Sequence, residues 1–293
     1  MPKAILTLAA GFALLIADLP AQIPAGLRAR LEARMDSTVA TGVGLYYQDL
    51  QTGYTLSIDE LRRFHAASTM KLPVMIQLFR DRDSGKVSLN DSLMVHDTFP
   101  SIVDGSPFTV DKSDDSDSTL YLLVGRRVSV RHLLELMETV SSNLATDVLI
   151  ERIGAARANA TAHALGADSI VVLRGVEDGK AYQAGRNNTT TARALGVLLA
   201  AIATHRAASA SACDSMLAIL SRQHFTEGIP AGLPAGSKVF HKTGWIGSVV
   251  YHDAAIVQLP SGRRYVLVVL TGGIKKDEDA YRLVADLSRM IAG

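Results

Sequence analysis

The stretch SKVFHKTGWIGSVVYHDAAIVQLPSGRRYVLVVLT, residues 237–271, decides the fold. Residues 237–243 alternate as an extended chain does, with Phe240 and Lys242 on one side and Val239, His241 and Thr243 on the other. Residues 249–259 follow, then a Pro260-Ser261-Gly262 turn and residues 264–271, the pattern of antiparallel strands with short connections. A second pair of strand signals lies far upstream. Residues 42–50 lead through Gln51-Thr52-Gly53 into the alternating Tyr54, Leu56 and Ile58. Neither group makes a stable sheet alone, so the sequence predicts one antiparallel sheet of five strands. Between strands two and three, from Ser68 to about Leu220, the apolar spacing is mostly helical. Val130, Leu133, Leu134, Met137 and Val140 mark its clearest face. Further helices are expected over 24–36 (Leu27, Leu31, Met35) and at the C-terminus (Ala280, Val284, Leu287, Ile291). Asp277, Glu278 and Asp279 open the latter, where the helix dipole favours anions. The reading is an α/β fold: a five-stranded antiparallel sheet with flanking helices plus an inserted all-helical lobe. The sheet lobe takes 22–66 and 223–293, the helical lobe 67–222, and together they form one domain over 22–293. A cleft is expected where the lobes meet, a favoured place for ligands.

Composition narrows the function classes. Lys+Arg is 30 against Asp+Glu 29, so no basic excess exists to hold a nucleic acid. Hydrophobic residues at 48% and charged residues at 20% are ordinary globular usage. Cys213, the single cysteine, can close no internal disulfide and build no thiolate metal site. At the N-terminus, Lys3 precedes an apolar run from Ala4 to Ala17, then Asp18, Leu19, Pro20 and Ala21. That is the layout of a secretory signal over residues 1–21, and the run is shorter than a spanning helix needs. The mature chain is therefore expected in the periplasm or outside the cell, with no stable membrane anchor; an uncleaved anchor is the alternative.

Three short motifs can carry chemistry. Ser68-Thr69-Met70-Lys71 opens an apolar helix, and side chains three apart share a helix face, so Lys71 can reach the Ser68 hydroxyl. Serine needs a base beside it. Lysine can serve when its hold on the proton is weakened by roughly 4 kcal/mol through desolvation and nearby positive charge. Alone the pattern proves little: S-x-x-K arises about once per chain of this length by chance. Ser68 as a helix cap and Lys71 as a solvated first-turn residue is the plain alternative. Lys242-Thr243-Gly244 ends the strand beginning near Ser237, where glycine admits a substrate's backbone and Lys242 offers charge to a carboxylate. Chance supplies K-T-G in fewer than about one chain in ten. Ser141-Ser142-Asn143 separates two helices, and serine and asparagine are also ordinary N-caps; a similar S-x-N stands at Ser88-Leu89-Asn90. The acidic stretch 103–118 lacks the glycine and distal glutamate of an EF-hand loop and reads as a solvated loop.

In that order, with Ser141 following Ser68 by 73 residues and Lys242 following Ser141 by 101, the motifs resemble the active-site set of class A serine β-lactamases and penicillin-binding proteins. The resemblance runs from about Leu45 to the C-terminus. It implies that Ser68 is the acylated nucleophile, Lys71 its proton partner, and Ser141 the donor to the departing ring nitrogen. Asn143 would bond a substrate amide, Lys242 and Thr243 would hold the substrate carboxylate, and the backbone N–H groups of Ser68 and Trp245, after Gly244, would form the oxyanion hole. The implied substrate is a small β-lactam or a peptidoglycan-like peptide, hydrolysed by a monomer without metal or cofactor. A D-alanyl-D-alanine peptidase and a penicillin-binding sensor are the alternatives.

The chain also departs from the family pattern. Ser142 stands where aspartate is usual. In the loop after Ile170, Glu177 is the candidate base for the deacylating water, against a merely solvated loop carboxylate. The loop reads about two residues short, with Ala181 at the usual asparagine and Arg174 one residue further from the glutamate. The family's arginine near Lys242 is not evident, Val249 or His252 taking its neighbourhood. Other hydrolase classes lack their residues here: no G-x-S-x-G elbow occurs, and none of the eight histidines forms H-E-x-x-H.

Overall fold

Strand β1 (Gly42–Asp49) lies at the heart of the arrangement, because its two neighbours come from opposite ends of the chain. On one side it pairs with β2 (Thr55–Ile58), its sequence neighbour; on the other with β5 (Arg264–Gly272), in a register that sets Gly42 opposite Gly272 and Asp49 opposite Tyr265. Two further antiparallel strands, β4 (Val250–Gln258) and β3 (Lys238–Ile246), complete the sheet in the order β2-β1-β5-β4-β3. The five strands predicted from the sequence are therefore one sheet, and β3, which carries Lys242-Thr243-Gly244, is one of its two edges. The computed structural model describes residues 26–293. The expected export signal, residues 1–21, lies outside the described residues.

Both faces of the sheet are covered, which is why β5 reads as the near-unbroken apolar run Tyr265 to Leu270 rather than as an alternation. On one face, Leu45, Tyr47, Leu267 and Val269 pack against α1 (Leu27–Asp36) and α9 (Asp277–Ala292). Against the other face lies α7 (Ala192–Ala203), whose Leu195, Leu198 and Leu199 meet Tyr46, Val266 and Val268. Close packing at this contact is visible at Gly196, where a Cβ would collide with the Tyr46 ring.

The inserted segment contributes α2 (Lys71–Asp83), α3 (Val130–Thr139), α4 (Asn143–Ile153), α5 (Ala155–Ala164), the short α6 (Gly179–Gln183), α7 and α8 (Ala210–Leu220). Ser129 caps α3, Ser142 caps α4, Asp178 caps α6 and Thr191 caps α7, each side-chain oxygen accepting from a first-turn N–H. The insert also holds short ribbons that the periodicity did not announce. Residues Ser92–Met94 pair with Arg127–Ser129, and Thr98–Pro100 with Pro107–Thr109. Three-residue strands carry too few alternations to register as a period. Phe64–His65 pairs with Thr189–Thr190, tying the approach to Ser68 to the end of the loop that carries Glu177. Among the described residues, no helix is long and apolar enough to cross a membrane.

Candidate active site

Ser68 sits in a 3-10 turn, Ala67–Met70, immediately ahead of α2. Ala67 just before it has φ of 44°, Ser141 has 63° and Glu177 has 58°, three of the five non-glycine residues with left-handed backbone among the described residues; Ala67 and Glu177 line one cleft. Such conformations cost energy and persist where surrounding contacts enforce them. Strand β3 passes directly over the turn. A Cβ on Gly244 would lie 3.1 Å from Thr69 Cγ2 and 3.2 Å from both Ala67 Cβ and Ser68 N. Glycine at this position therefore lets the sheet edge approach the Ser68 backbone, and Trp245 follows, 53% exposed, on the cleft wall.

The two lysines are wholly enclosed. Lys71 and Lys242 are each 0% exposed, so neither is a solvated surface residue. Lys71 Nζ donates to Ser141 O at 2.7 Å, Ser141 Oγ at 3.1 Å and Asn143 Oδ1 at 3.1 Å, which uses all three of its N–H groups. Lys242 Nζ donates to Ser141 Oγ at 3.0 Å and to Thr243 O at 3.1 Å. Ser141 Oγ thus joins three of the residues singled out in the sequence, which come from α2, the α3–α4 turn and β3. The sequence reading aimed Lys71 at Ser68; among the described residues its donors are directed at Ser141 and Asn143 instead. The cause is local: the strained Ser141 backbone turns both its carbonyl and its hydroxyl toward α2. Burial first, and then the Lys242 ammonium, bring Lys71 down to about 7. Burial likewise lowers Lys242, against the pull of Glu138 and Asp253.

Glu177 stands on the other side of Asn143. Its Oε1 accepts from Asn143 Nδ2 at 2.6 Å and its Oε2 from Asp111 N at 2.8 Å, while burial raises its carboxyl above the usual range. Ser68, Asn143, Glu177, Tyr182 and Trp245 line one cleft of about 330 Å³. The loop bearing Glu177 is strapped at several points. Asp178 accepts from Ser101 Oγ, Ile102 N and Ala181 N. Arg174 is buried, donating to Arg186 O, Gly175 O and Asn187 Oδ1. Asn188 pairs with the Arg174 backbone in both directions. Asp147 of α4 accepts from Val176 N at 2.7 Å, and burial pushes this carboxyl up to about 8. Ala181, at the position usually held by asparagine, is buried in α6 and offers no side-chain donor.

The acidic stretch is a correction to the sequence reading. It is not simply a solvated loop: Asp117 is buried and Asp115 half-buried, with Asp115 Oδ2 accepting from Ser142 Oγ, Leu144 N and Tyr121 OH. Ser142 itself is fully buried and caps α4. The carboxylate expected at position 142 is thus replaced by a hydroxyl that borrows one from Asp115. No pattern in the sequence signals this, because the two residues are 27 apart and meet only in the fold. In the neighbourhood where the family's arginine is usual, His252 is buried, bonded through Nε2 to His65 O, and held down to about 4 by burial, hence neutral. His241 lies on the face away from Lys242, as the alternation predicts, and is buried with Nδ1 2.9 Å from Asp253 Oδ1. Among the described residues, no group of three or more His, Cys, Asp or Glu side chains is placed to hold a metal ion.

Comparison with known proteins agrees with this architecture. Among solved structures, the chain is similar to PBP-A at 28% identity and TM-score 0.77, over 92% of this chain and 95% of that one. A beta-lactamase from Sphaerobacter thermophilus is similar at 26% identity and TM-score 0.77, over 90% and 95%. A point mutant of PBP-A, solved as an acyl-enzyme complex with penicillin G, matches at 28% and 0.76, over 91% and 95%. Among curated proteins none matches. The model of the beta-lactamase enzyme family matches residues 26–293, the whole of the sheet, the insert and the cleft between them, and the chain belongs to that family.

Proposed function

We propose that this protein is a serine β-lactamase of the class A type, which opens the β-lactam ring through an acyl-enzyme on Ser68. The observation that carries the reading is the sharing of Ser141 Oγ by Lys71 and Lys242 beside a cleft that holds both Ser68 and Glu177. With Lys71 neutral, its lone pair takes the Ser68 proton while an N–H stays donated to Ser141 Oγ, so Lys71 can return a proton to Ser141 as Ser141 gives its own away. Ser68 Oγ attacks the lactam carbonyl, its proton passes to Lys71, and Ser141 protonates the departing nitrogen. The N–H groups of Ser68 and Trp245, brought close by Gly244, hold the developing oxyanion. Asn143 bonds the substrate amide. Thr243, with Lys242 behind it, supplies hydrogen bonding and positive potential to the substrate carboxylate. Glu177 then activates water against the ester. Burial makes it a stronger base than an ordinary glutamate, and Asn143 already orients it. The protein acts as a monomer, without metal or cofactor, after export directed by residues 1–21.

A D-alanyl-D-alanine peptidase is the second reading. The specific observation in its favour is that both oxygens of Glu177 already accept hydrogen bonds, from Asn143 and Asp111, and Ala181 brings no second group to place a water. One experiment separates the readings: a time course of chromogenic cephalosporin hydrolysis with intact-mass measurement of the same sample. Many turnovers are expected. One stoichiometric burst with a lasting adduct supports the peptidase or a penicillin-binding sensor, and neither adduct nor turnover overturns the acyl-transfer reading.

A further inference from the structure

Glu138, near the C-terminal end of α3, is three residues before Ser141 and bonds none of the groups that carry acyl transfer. Its side chain is buried, with the residue 1% exposed, and both carboxylate oxygens lack a hydrogen-bond partner among the described residues. Helix α3 is otherwise amphipathic in the ordinary way, presenting Val130, Leu133, Leu134 and Met137 to the core. An aliphatic side chain would suit such a position without the cost of desolvating a carboxyl group. The backbone around it is held firmly: Gln223 Nε2 donates to Glu138 O at 2.9 Å and His224 N to Thr139 O at 3.0 Å.

The charged groups around this carboxyl are few. Burial pushes this carboxyl up to about 7, opposed first by Lys242 from β3 and then by Lys71 from α2, so its charge is in place above neutral pH. From the acidic stretch ahead of α3 and from α4, Asp115 and Asp147 act on Lys71. At the end of α8, Arg222 turns outward to pair with Glu135. Each lysine nitrogen lies within 3.1 Å of Ser141 Oγ, so the two cannot be further apart than twice that distance. Two ammonium groups so placed, out of contact with water, repel strongly, and one proton is readily lost. Which lysine loses it depends on where the compensating negative charge lies. Glu138 is the leading electrostatic support of Lys242, followed by Asp253 across the sheet. For Lys71, the leading influence among the charges is the repulsion of Lys242.

We propose that Glu138 is a positioning residue that supplies the counter-charge of the buried lysine pair, keeping Lys242 protonated while Lys71 gives up its proton and becomes the base. Glu138 exchanges no proton with substrate; it acts through Lys242. The inference rests on the acyl-transfer reading and deepens it by assigning the division of labour between two chemically equal side chains.

The test is a titration of the whole chain labelled with 13Cε-lysine and 13Cδ-glutamate, followed by NMR, with Lys71→Arg and Lys242→Arg used for assignment. Without the negative charge, both lysines hold their protons less tightly, Lys242 most. In Glu138→Gln the Lys242 midpoint should fall by about one pH unit, a tenfold loss of proton affinity, with a smaller fall for Lys71. Glu138→Asp, which restores the charge, should bring it most of the way back. An unmoved Lys242 midpoint in folded Glu138→Gln, or equal shifts in the Gln and Asp variants, would overturn the proposal. Should the variants fail to fold, the wild-type chain decides alone. Signals of Glu138 Cδ and Lys242 Cε must report a common, mutually coupled transition, and independent titrations refute the assignment. These readouts need no turnover, so they stand apart from the cephalosporin experiment. In kcat/KM, the expected counterpart is an alkaline limb displaced to lower pH in Glu138→Gln, which a purely structural loss of activity would not produce.

Discussion

The cleft has two sides that differ in how they are built. On one, Lys71 from a helix and Lys242 from a sheet edge, both wholly buried, converge on the Ser141 hydroxyl, with Ser68 in the turn ahead of the helix. On the other, Glu177 is carried by a loop with little regular structure, held in place by Asp178, Arg174, Asn188 and Asp147. The lysine side is carried by regular elements packed into the apolar core. The loop side is only as well placed as its individual straps. Under the proposed function the first side forms the acyl-enzyme and the second removes it, so the two should fail differently.

The largest expected effect is on the lysine side. Ser68→Ala should abolish the penicillin adduct in intact mass and reduce acylation at least ~10⁴-fold, as for other serine nucleophiles. An undiminished adduct would place the nucleophile elsewhere. Lys71→Met should slow acylation by ~10²–10⁴-fold, the usual worth of a general base. In the unaltered chain the burst rate should rise with pH through about 7, because the neutral amine is the active form. It should decline again in more alkaline solution as Lys242 loses its charge. A burst rate flat across neutral pH would show that Lys71 is not the base.

Glu177→Ala sharpens the contrast between the sides. Turnover should fall by ~10²–10⁴-fold while the initial burst is preserved, so that the adduct accumulates. A matching loss of burst would mean that Glu177 serves acylation too, and that the two sides are not separable. The smallest effect is predicted for a strap. Asp178→Ala removes the α6 cap and the bonds to Ser101 and Ile102, and should cost ~1–3 kcal/mol, visible as a lower Tm and faster proteolysis within residues 172–188. These hydrogen bonds hold the Asp178 carboxyl below its ordinary range. The stability it contributes is therefore complete above about pH 4 and lost as pH falls through the lowered native value. A pH dependence of Tm identical in wild type and variant would remove Asp178 from the account.

Much of the lysine side was legible in the sequence. Ser68 and Lys71 are close in the chain, and Lys242 lies on a strand whose alternation shows which face it takes; Gly244 was legible as room for a substrate's backbone, and only the fold shows that it admits the Ser68 turn. The loop side was legible only as a candidate carboxylate. That Glu177 would be gripped by Asn143 and Asp111, that Asp115 would stand in for an aspartate at position 142, and that Asp147 would reach Val176 all depend on contacts between distant segments.

What the sequence determined by itself was the order of the strands and helices, the single sheet, and the three motifs in their family order, because periodicity and short-range spacing are local properties of the chain. Tertiary structure alone decided the chemistry's working state. Lys71 and Lys242 are ordinary lysines until the fold removes them from water and sets them on one hydroxyl with Glu138 nearby. Proton affinity depends on desolvation and on the sum of charges within several ångströms, and neither is written at any one position in the chain.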